Sequence, residues 1–423
     1  MIAHAKRAPL TLATTVKKTV IIGGEEDFCA ERCGYKQDKS GIEAYFAPVP
    51  VTPSYMVYKV KFADFLPALG FTIIINGYGQ FYKWNTTEFT TLKAYGVLSS
   101  SKPIIASCVV DDKISYAVFS NNRMGVFNPD GHTTAYTDNR VLCGAGHYGR
   151  IFARDYNDPY LLRWSSYDVK DWTEGADKGG RIRLAPLGGE VCNILSQDGK
   201  LLIVRRYGIS VMRALGDARH FRLEPDVSVS LPSVIDNTSV ICRGQLYVFT
   251  KNGLFCIDGQ TVREVPLGVC GNGFTATAAR AYDDRYIYID GVCGGVNTLL
   301  EYDVKTGNCT RFADGCSLFF YTDEGLYCFR DTTLCQLEKG VADVNRKWIS
   351  APFRFAAGKG AALRRVTFEG EGGSALTINC GGRVRRVESY GTHRIDETAE
   401  SFTFKVNGTG KVSKLVAEWE ERG

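Results

Sequence analysis

The chain has 423 residues, 45 glycines, 12% aromatic residues and a net charge of +5, from 51 Lys and Arg against 46 Asp and Glu. This length exceeds the roughly 250–300 residues at which a single core usually stops growing, so it predicts one large repeat architecture or two domains. No run approaches the roughly 20 apolar residues of a membrane span, and residues 1–20 contain no apolar core of signal-peptide length. We expect a soluble chain that is not exported by a recognisable signal.

The first 66 residues precede any recurring pattern. They contain the stretch APVPVTPSY at positions 47–55, which indicates an extended connection stiffened by proline. We therefore interpret residues 1–66 as an N-terminal arm or extension.

One pattern then recurs along the chain: an apolar strand, a turn, a second apolar strand, a second turn and a third strand. The runs are rich in Val, Ile, Tyr and Phe, and long stretches of helical periodicity are missing, so we predict an all-β protein. The seven copies occupy residues 71–96, 114–137, 149–172, 200–226, 246–268, 286–312 and 316–340.

The spacing of these copies is typical of a β-propeller. The second strands begin near Phe81, Met124, Leu161, Ile209, Leu254, Leu299 and Leu326, which gives intervals of 43, 37, 48, 45, 45 and 27 residues. Periods near 40–50 with three or four strands each suit propeller blades. We predict six or seven blades over residues 67–345. The short last interval indicates that the final copy is incomplete, or is finished by a strand from the N-terminal side.

The pattern changes after the repeats. From residue 346 the segments VTFEG, ALTINC, RVRRVESY, SFTFKV and KLVAEW alternate with period two, which predicts a small C-terminal β-sandwich over 346–423. This segment contains 14 Lys and Arg against 9 Asp and Glu, so it carries the whole net charge of +5.

The 14 cysteines do not form the pattern of a secreted disulfide scaffold. Cys242, Cys256, Cys328 and Cys380 each lie singly in apolar strands, where a reduced cysteine behaves as a small hydrophobic residue. Only Cys29 and Cys33 are close together, without a second pair or histidines to complete a zinc site. We predict free thiols in a reducing cytoplasm, and no metal.

No catalytic or cofactor-binding pattern stands out. The pairs Asp111–Asp112 and Asp283–Asp284 lie in turns, where acidic residues usually cap and solvate the turn. The glycine-rich stretch GAGHYG at 144–149 is interpreted as a turn without a following helix, so it lacks the dinucleotide-binding context. The histidines match no metal-binding spacing: they are His4, His132, His147, His220 and His393. We predict that the protein is not an enzyme and needs no cofactor.

The arginines of the C-terminal segment are the candidate binding residues. Such side chains could line a conduit or contact phosphates in a sequence-independent, salt-sensitive way. The alternative is that each pairs with Glu388, Glu369 or a neighbouring subunit. The candidate DNA-channel or polyanion contacts are Arg364, Arg365, Arg383, Arg385 and Arg386. Arg205 and Arg206 in IVRRYG form a further basic pair.

Residues 161–228 resemble a pattern found in virion proteins. Trp164-Ser165 in a strand is followed by Asp171-Trp172 in a loop, then by the apolar strand 201–204 and by Tyr207-Gly208-Ile209. RKWISAPFRF at 346–355, followed by LRRVTFEG, looks like the ending of the same proteins. The family is that of the β-propeller tail proteins of short-tailed bacteriophages, namely the tail nozzle and the packaged-DNA stabilisation, or head-closure, protein.

The resemblance implies a non-enzymatic virion subunit, assembled as a ring, commonly a hexamer, below the portal and its adaptor. Double-stranded DNA would pass through that ring, and the subunit would be in the virion tail after assembly in the host cytoplasm. The alternative is a carbohydrate- or receptor-binding propeller, free or as a tail component. In that case Trp84, Trp164 and Trp172 would stack on sugars, whereas they would otherwise wedge between blades.

Overall fold

The structure is a computed structural model that divides into two compact units. Phe46–Glu338 form one unit, and the segments up to Tyr45 and from Lys339 form the other. The residues described are 16–421, apart from 79, 87, 93–103, 111–112, 121–122, 128–132, 137–140, 177, 225–228, 340, 342–345 and 356–359.

Strands make up nearly all of the regular structure in these residues. The first five strands are β1 (Lys17–Ile22), β2 (Cys29–Cys33), β3 (Tyr35–Asp38), β4 (Gly41–Ala44) and β5 (Ala47–Pro50). The next sixteen are β6 (Val60–Leu66), β7 (Phe71–Asn76), β8 (Phe81–Asn85), β9 (Glu88–Leu92), β10 (Ile104–Val110), β11 (Lys113–Ser120), β12 (Arg123–Phe127), β13 (Thr133–Tyr136), β14 (Val141–His147), β15 (Arg150–Asp155), β16 (Leu161–Trp164), β17 (Gly180–Arg183), β18 (Val191–Gln197), β19 (Lys200–Arg205), β20 (Gly208–Arg213) and β21 (Arg222–Leu223).

The remaining strands complete the repeats and continue to the end of the described chain. They are β22 (Val240–Cys242), β23 (Gln245–Thr250), β24 (Gly253–Asp258), β25 (Thr261–Val265), β26 (Phe274–Tyr282), β27 (Tyr286–Cys293), β28 (Val296–Asp303), β29 (Asn308–Asp314), β30 (Cys316–Thr322), β31 (Gly325–Arg330), β32 (Thr333–Glu338), β33 (Lys347–Ser350), β34 (Ala361–Glu371), β35 (Ser374–Cys380), β36 (Arg383–Val387), β37 (Gly391–Ala399), β38 (Phe402–Gly408) and β39 (Lys411–Glu421). Four short 3-10 helices cover Pro67–Leu69, Pro186–Gly188, Ala218–His220 and Gly268–Gly271.

The unit Phe46–Glu338 is a β-propeller of seven antiparallel four-stranded sheets within the described residues. Six blades use consecutive strands, β6–β9, β10–β13, β14–β17, β18–β21, β22–β25 and β26–β29. The seventh has the order β30-β31-β32-β5, so an N-terminal strand supplies its outer edge. Ala47 pairs with Glu338 and Pro50 with Cys335. Proline suits an edge strand because it has no N–H to donate to a further neighbour.

The seven sequence copies are confirmed as the seven blades, and this closure explains the short last interval. In the first six copies the residue taken as the start of the second strand lies on the third strand of a blade. Leu326 lies instead on β31, the second strand of the seventh blade. The predicted boundary of the propeller at residue 67 is wrong. The propeller begins near residue 46, because β5 completes its last blade and β6 is the innermost strand of its first.

Apolar side chains on facing blades form the core of the propeller. Trp172 packs among residues of the second and third blades, and Trp164 among residues of the third and fourth. Trp84 packs against Phe320 and Tyr327, between the first and seventh blades. The innermost strands approach closely: a Cβ added to Gly146 of β14 would lie 1.8 Å from the carbonyl oxygen of Ser107 on β10, so only glycine fits there.

The second unit is a sandwich of two sheets. One sheet has the order β3-β4-β39-β34-β37, with β1 also pairing with β39, and the other has the order β2-β33-β38-β35-β36. Phe355 lies between Trp419 and Phe402, with ring centroids 5.0 and 5.4 Å away, and so packs against both sheets. The predicted sandwich is confirmed. The interpretation of residues 1–66 as an arm is wrong, because β1–β4 are strands of this sandwich.

Candidate functional site

The candidate arginines lie on the sandwich, around two strands at sheet edges. β36 is the outer strand of the five-stranded sheet, and β37 is the outer strand of the six-stranded sheet. The carboxylate of Glu397, on β37, joins them: it accepts a hydrogen bond from Arg385 Nε at 2.7 Å and forms an ion pair with Arg383 Nη1 at 3.5 Å. Glu397 is 5% exposed, so these arginines neutralise a buried carboxylate.

The other candidate arginines are also held by carboxylates, with one exception. Arg364, on β34, donates through Nε and Nη2 to Glu420 at 3.0 and 2.8 Å. Arg386 Nε lies 3.1 Å from Glu388. Arg365 is exposed and forms no ion pair with any described residue. The predicted alternative of carboxylate pairing therefore applies to four of the five, although of the partners named, only Glu388 is among those used.

A sixth arginine, which the sequence analysis missed, belongs to the same surface. Arg394 of β37 is 83% exposed and forms an ion pair with Asp396. Its Nε donates a hydrogen bond to the Asp396 carboxylate, which lowers the pKa of Asp396. His393, Arg394 and Asp396 line a cavity of about 480 Å³ with Arg385, Arg386 and Glu388. Side chains alternate between the two faces of a strand, so the sequence GTHRID predicts Arg394 on the face opposite His393 and not beside it.

We call this surface the arginine edge. Its members are Arg364, Arg365, Arg383, Arg385, Arg386 and Arg394. Six arginines face four carboxylates, Glu388, Asp396, Glu397 and Glu420, so the surface keeps a net positive charge. An arginine has five N–H donors, and one carboxylate occupies only some of them. The exposed members can still donate to phosphate oxygens while held in place.

The propeller channel is a second candidate site and is formed by the innermost strands of all seven blades. Its volume is about 670 Å³, and its charged lining residues are Lys61, Asp64, Arg280 and Asp290. A duplex is wider than its own major groove, about 12 Å, and a cylinder of that width and one helical turn long, about 34–36 Å, would occupy roughly 4,000 Å³. The channel volume is several times smaller. Duplex DNA does not fit through a single propeller.

Arg205 and Arg206 have structural positions in the fourth blade. Arg205 is 4% exposed and donates to the carbonyl oxygens of Ala185 and Gly189. Arg206 pairs with Glu190 and Asp236, so it bridges the segments before the fourth and fifth blades. These arginines connect loops within the propeller and do not form a free basic surface.

The three tryptophans proposed for sugar stacking are buried. Trp84, Trp164 and Trp172 are 2%, 7% and 8% exposed, and all three lie between blades. The wedge interpretation is confirmed for them.

An exposed aromatic pair that the sequence analysis missed lies on the first blade. The rings of Tyr58 and Tyr78 are 59% and 65% exposed, 6.0 Å apart and inclined by 12°. The ammonium group of Lys59 lies within 5.7 Å of both ring centroids. The sequence gives little indication of this pair, because the two tyrosines are 20 residues apart in different loops.

The two acidic pairs and His147, also considered for catalysis or metal binding, lie in turns or strands of the propeller, or outside the described residues. Asp283 and Asp284 have φ angles of 51° and 43° in the turn between β26 and β27, which confirms their interpretation as turn residues. Asp111 and Asp112 lie outside the described residues. His147, in β14 rather than in a turn, is buried against Ser196. Among the described residues no group of His, Cys, Asp and Glu could hold a metal ion.

Each of the 14 cysteines is a thiol outside any disulfide bond, and all except Cys293 are buried. No helix in the described part of the chain is both long and apolar enough to cross a membrane.

Two of the motifs that carry the resemblance, Trp164-Ser165 and Asp171-Trp172, lie together in the third blade. The hydroxyl of Ser165 accepts from the backbone N–H of Ile151 at 3.0 Å and donates to the carbonyl of Ser166 at 2.7 Å. Ser166 N–H donates to the carbonyl of Asp171 at 2.7 Å, and Trp172 Nε1 to that of Val169 at 2.9 Å. Trp-Ser and Asp-Trp thus fix the two ends of one loop, which we call the third-blade loop (residues 165–172).

Comparison with known proteins gives structural neighbours but no family. No family model and no curated protein matches the chain. The extracellular domain of a putative hybrid two-component system, BT4673 from B. thetaiotaomicron, is similar over 81% of this chain and 47% of its own length, at 12% identity and a TM-score of 0.50. The β-propeller domain of Cps50 (Swd1) from Myceliophteria thermophila matches 69% of this chain and 99% of its own length, at 11% identity and a TM-score of 0.48.

Proposed function

We propose that the protein is a structural subunit of a bacteriophage virion, a tail nozzle or head-completion protein that acts without catalysis or cofactor. In this proposal copies of the chain form a ring, a hexamer, around the DNA exit channel, next to the portal and adaptor. The observation that carries the proposal is the third-blade loop together with Trp164, which precedes it: Trp164-Ser165 and Asp171-Trp172 are among the residues that resemble those tail proteins. The subunit would be assembled in the host cytoplasm and reside in the virion tail.

The size of the propeller channel determines where DNA would pass. Since a bore of this volume excludes the duplex, the conduit would be the space enclosed by several subunits. The arginine edge is the surface that suits its lining, because exposed, carboxylate-held guanidinium groups offer weak, sequence-independent phosphate contacts. A conduit that must release DNA is served by a modest net charge rather than by a strongly basic one.

The experiment is a mass measurement by multi-angle light scattering with negative-stain imaging, on the purified protein alone and mixed with portal and adaptor proteins. A ring of defined stoichiometry, alone or on the portal complex, is the expected result. A chain that stays monomeric in every mixture contradicts the proposal.

A second candidate function is recognition of a carbohydrate receptor, which one observation favours. The exposed Tyr58–Tyr78 pair with Lys59 offers aromatic faces on which sugar rings stack. Binding to a glycan array that is lost in Tyr58→Ala/Tyr78→Ala, with the mass unchanged, would support this candidate. An array without any binding would exclude it for the glycans tested.

A further inference from the structure

A buried positive charge lies beneath the third-blade loop. Arg150 is 2% exposed and donates through Nη1 to the carbonyl oxygens of Ser165, at 2.9 Å, and of Lys178, at 2.7 Å. Its Nε and Nη2 atoms are buried and have no hydrogen-bond partner among the residues that the structure describes. No carboxylate in the described part of the chain forms an ion pair with it. Buried charges in proteins are normally paired with opposite charge, so Arg150 favours a negative group beside it, and the described residues of this chain do not provide one.

The side chains above Arg150 are exposed and mostly apolar. The guanidinium carbon lies 4.1 Å from the ring centroid of Tyr167, which is 55% exposed. The hydroxyl of Tyr167 donates to the carbonyl of Gly216 at 3.2 Å, beside Leu215, which is 61% exposed. Tyr148, 54% exposed, precedes Gly149, which also approaches the Tyr167 ring. We call Tyr148, Tyr167 and Leu215 the aromatic patch.

The composition of this patch is that of a binding hot spot. Tyrosine and arginine are enriched where protein interfaces gain most of their affinity, and a solvent-exposed apolar patch usually marks an interaction surface. The positive charge beneath the patch selects for a negatively charged partner, because an approaching carboxylate would neutralise a charge that is shielded from water.

The chain itself carries a suitable acidic segment. Residues 23–27 form the turn between β1 and β2, where Glu25 and Glu26 are exposed and have no ion-pair partner among the described residues. Asp27 differs, since its carboxylate accepts from Cys29 N–H and Gln37 Nε2, both at 2.9 Å. We call Glu25 and Glu26 the acidic turn.

We propose that the aromatic patch of one subunit binds the acidic turn of a second copy, with Arg150 as the positive charge that attracts it. This inference rests on the proposed function, because it identifies the contact by which the ring closes. The two surfaces are different, so the contact is head-to-tail. Contacts of this kind generate a closed ring when the rotation between subunits allows it, rather than a two-fold dimer.

The test uses two assembly variants on exposed positions, which keep Arg150 and Tyr167 in place. Tyr148→Glu/Leu215→Glu places negative charge on the aromatic patch, and Glu25→Lys/Glu26→Lys reverses the acidic turn. Each variant alone is expected to be monomeric where the wild-type chain forms a ring. An equimolar mixture is expected to form a one-to-one heterodimer and nothing larger, because only one intact patch and one intact turn remain.

Matched variants control for general effects of charge. Leu187→Glu/Tyr207→Glu changes two other exposed apolar residues of the propeller, and Glu369→Lys/Glu371→Lys changes two other exposed acidic residues of the sandwich. Both controls are expected to form rings. Rings formed by either assembly variant, or a mixture without heterodimer, would overturn this interface while leaving the ring itself established. A wild-type chain that is monomeric in every mixture would instead overturn the proposed function.

Discussion

Arg280 of the sixth blade donates to the carboxylate of Asp64 of the first blade at 2.8 Å, across the innermost strand of the seventh. Both residues line the channel, and Arg280 also lies over the ring of Phe62 at 5.5 Å. The blades on either side of the closing blade are therefore connected directly as well as through it.

Removing the cation of this pair should destabilise the propeller. Arg280→Met leaves the Asp64 carboxylate without its charged partner in the channel, so we expect the free energy of unfolding to fall by about 1–3 kcal/mol. Urea denaturation followed by tryptophan fluorescence measures the change. Arg181→Met is the control, because its pair with Glu174 is more than half exposed on both sides and should contribute less than about 1 kcal/mol. Equal losses in the two variants would contradict the prediction.

The ionisation of Asp64 should make stability depend on pH. Burial raises the pKa of Asp64, and Arg280 lowers it in part. A carboxyl group with a raised native pKa binds more protons when folded, so its contribution to stability falls as pH rises from the unfolded pKa to the native one. We therefore expect Asp64→Asn to gain stability relative to wild type as pH rises through this window. Urea midpoints measured at several pH values from just below the unfolded pKa of an aspartate, about 3.9, upwards test this, and a constant difference would refute it.

The closing strand should be sensitive to charge. Ala47 of β5 is 1% exposed, and its pairing partner is Glu338. Ala47→Asp would bury an unpaired carboxylate opposite another, so we expect a loss of about 3–5 kcal/mol, measured by the same denaturation. Pro50→Asp, at the exposed end of the same strand, is the matched control and should be close to wild type. If both variants unfold alike, β5 does not close the blade in solution.

The buried tryptophans and the exposed tyrosines should respond differently to truncation. Trp172→Ala removes a side chain that packs between two blades, so we expect a loss of about 3–5 kcal/mol. Tyr78→Ala, on the exposed pair, should stay within about 0.5 kcal/mol. Thermal unfolding measures both. If Trp172→Ala has wild-type stability, the ring of Trp172 does not contribute to the core. Sugar stacking by Trp172 would then again be a candidate role.

The arginine edge should determine the salt dependence of DNA binding. Arg383→Ala/Arg386→Ala/Arg394→Ala should weaken binding to duplexes of any sequence, and should reduce the slope of log K against log salt by about 0.9 for each DNA phosphate that the variant no longer neutralises. Fluorescence anisotropy between 50 and 200 mM salt, about the range in which this effect is large, provides the measurement. Arg181→Ala/Arg219→Ala/Arg263→Ala removes three exposed propeller arginines as a control. An unchanged slope in the first variant would exclude the edge as the DNA surface.

The sequence predicts the blades because their outer three strands alternate strongly and are joined by short turns. It does not reveal the innermost strands, such as β10 and β14. These strands contain Ala106, Ser107, Gly144 and Gly146, small residues that the narrow channel requires and that have little strand propensity. GAGHYG resembles a turn for this reason, although only Tyr148 and Gly149 turn.

Long-range pairing explains most of the other differences. No local pattern indicates that Lys17 of β1 meets Trp419 of β39, or that Arg383 and Arg385 share a carboxylate that comes from the other sheet. The arginines are visible in the sequence, whereas their partners depend on how the two sheets align. The sequence likewise does not indicate that Arg150 is buried, because Tyr167 and the packing of the third-blade loop bury it.

The pairing of chain ends has a consequence for how the protein is made. The side chain of Lys17 meets that of Glu421 across 404 positions, and β5 pairs with β32 at the far end of the propeller. During translation these early strands leave the ribosome long before their partners exist. Neither unit can be completed until the last of its strands has been synthesised, and the unpaired edges of the nascent chain are open to misassociation in the meantime. Products of translation interrupted before β32 would lack strands that both units require, and products interrupted later would lack strands of the sandwich alone. Such products would remain incompletely folded, and an oligomer that needs both units would be built from chains in which both are complete.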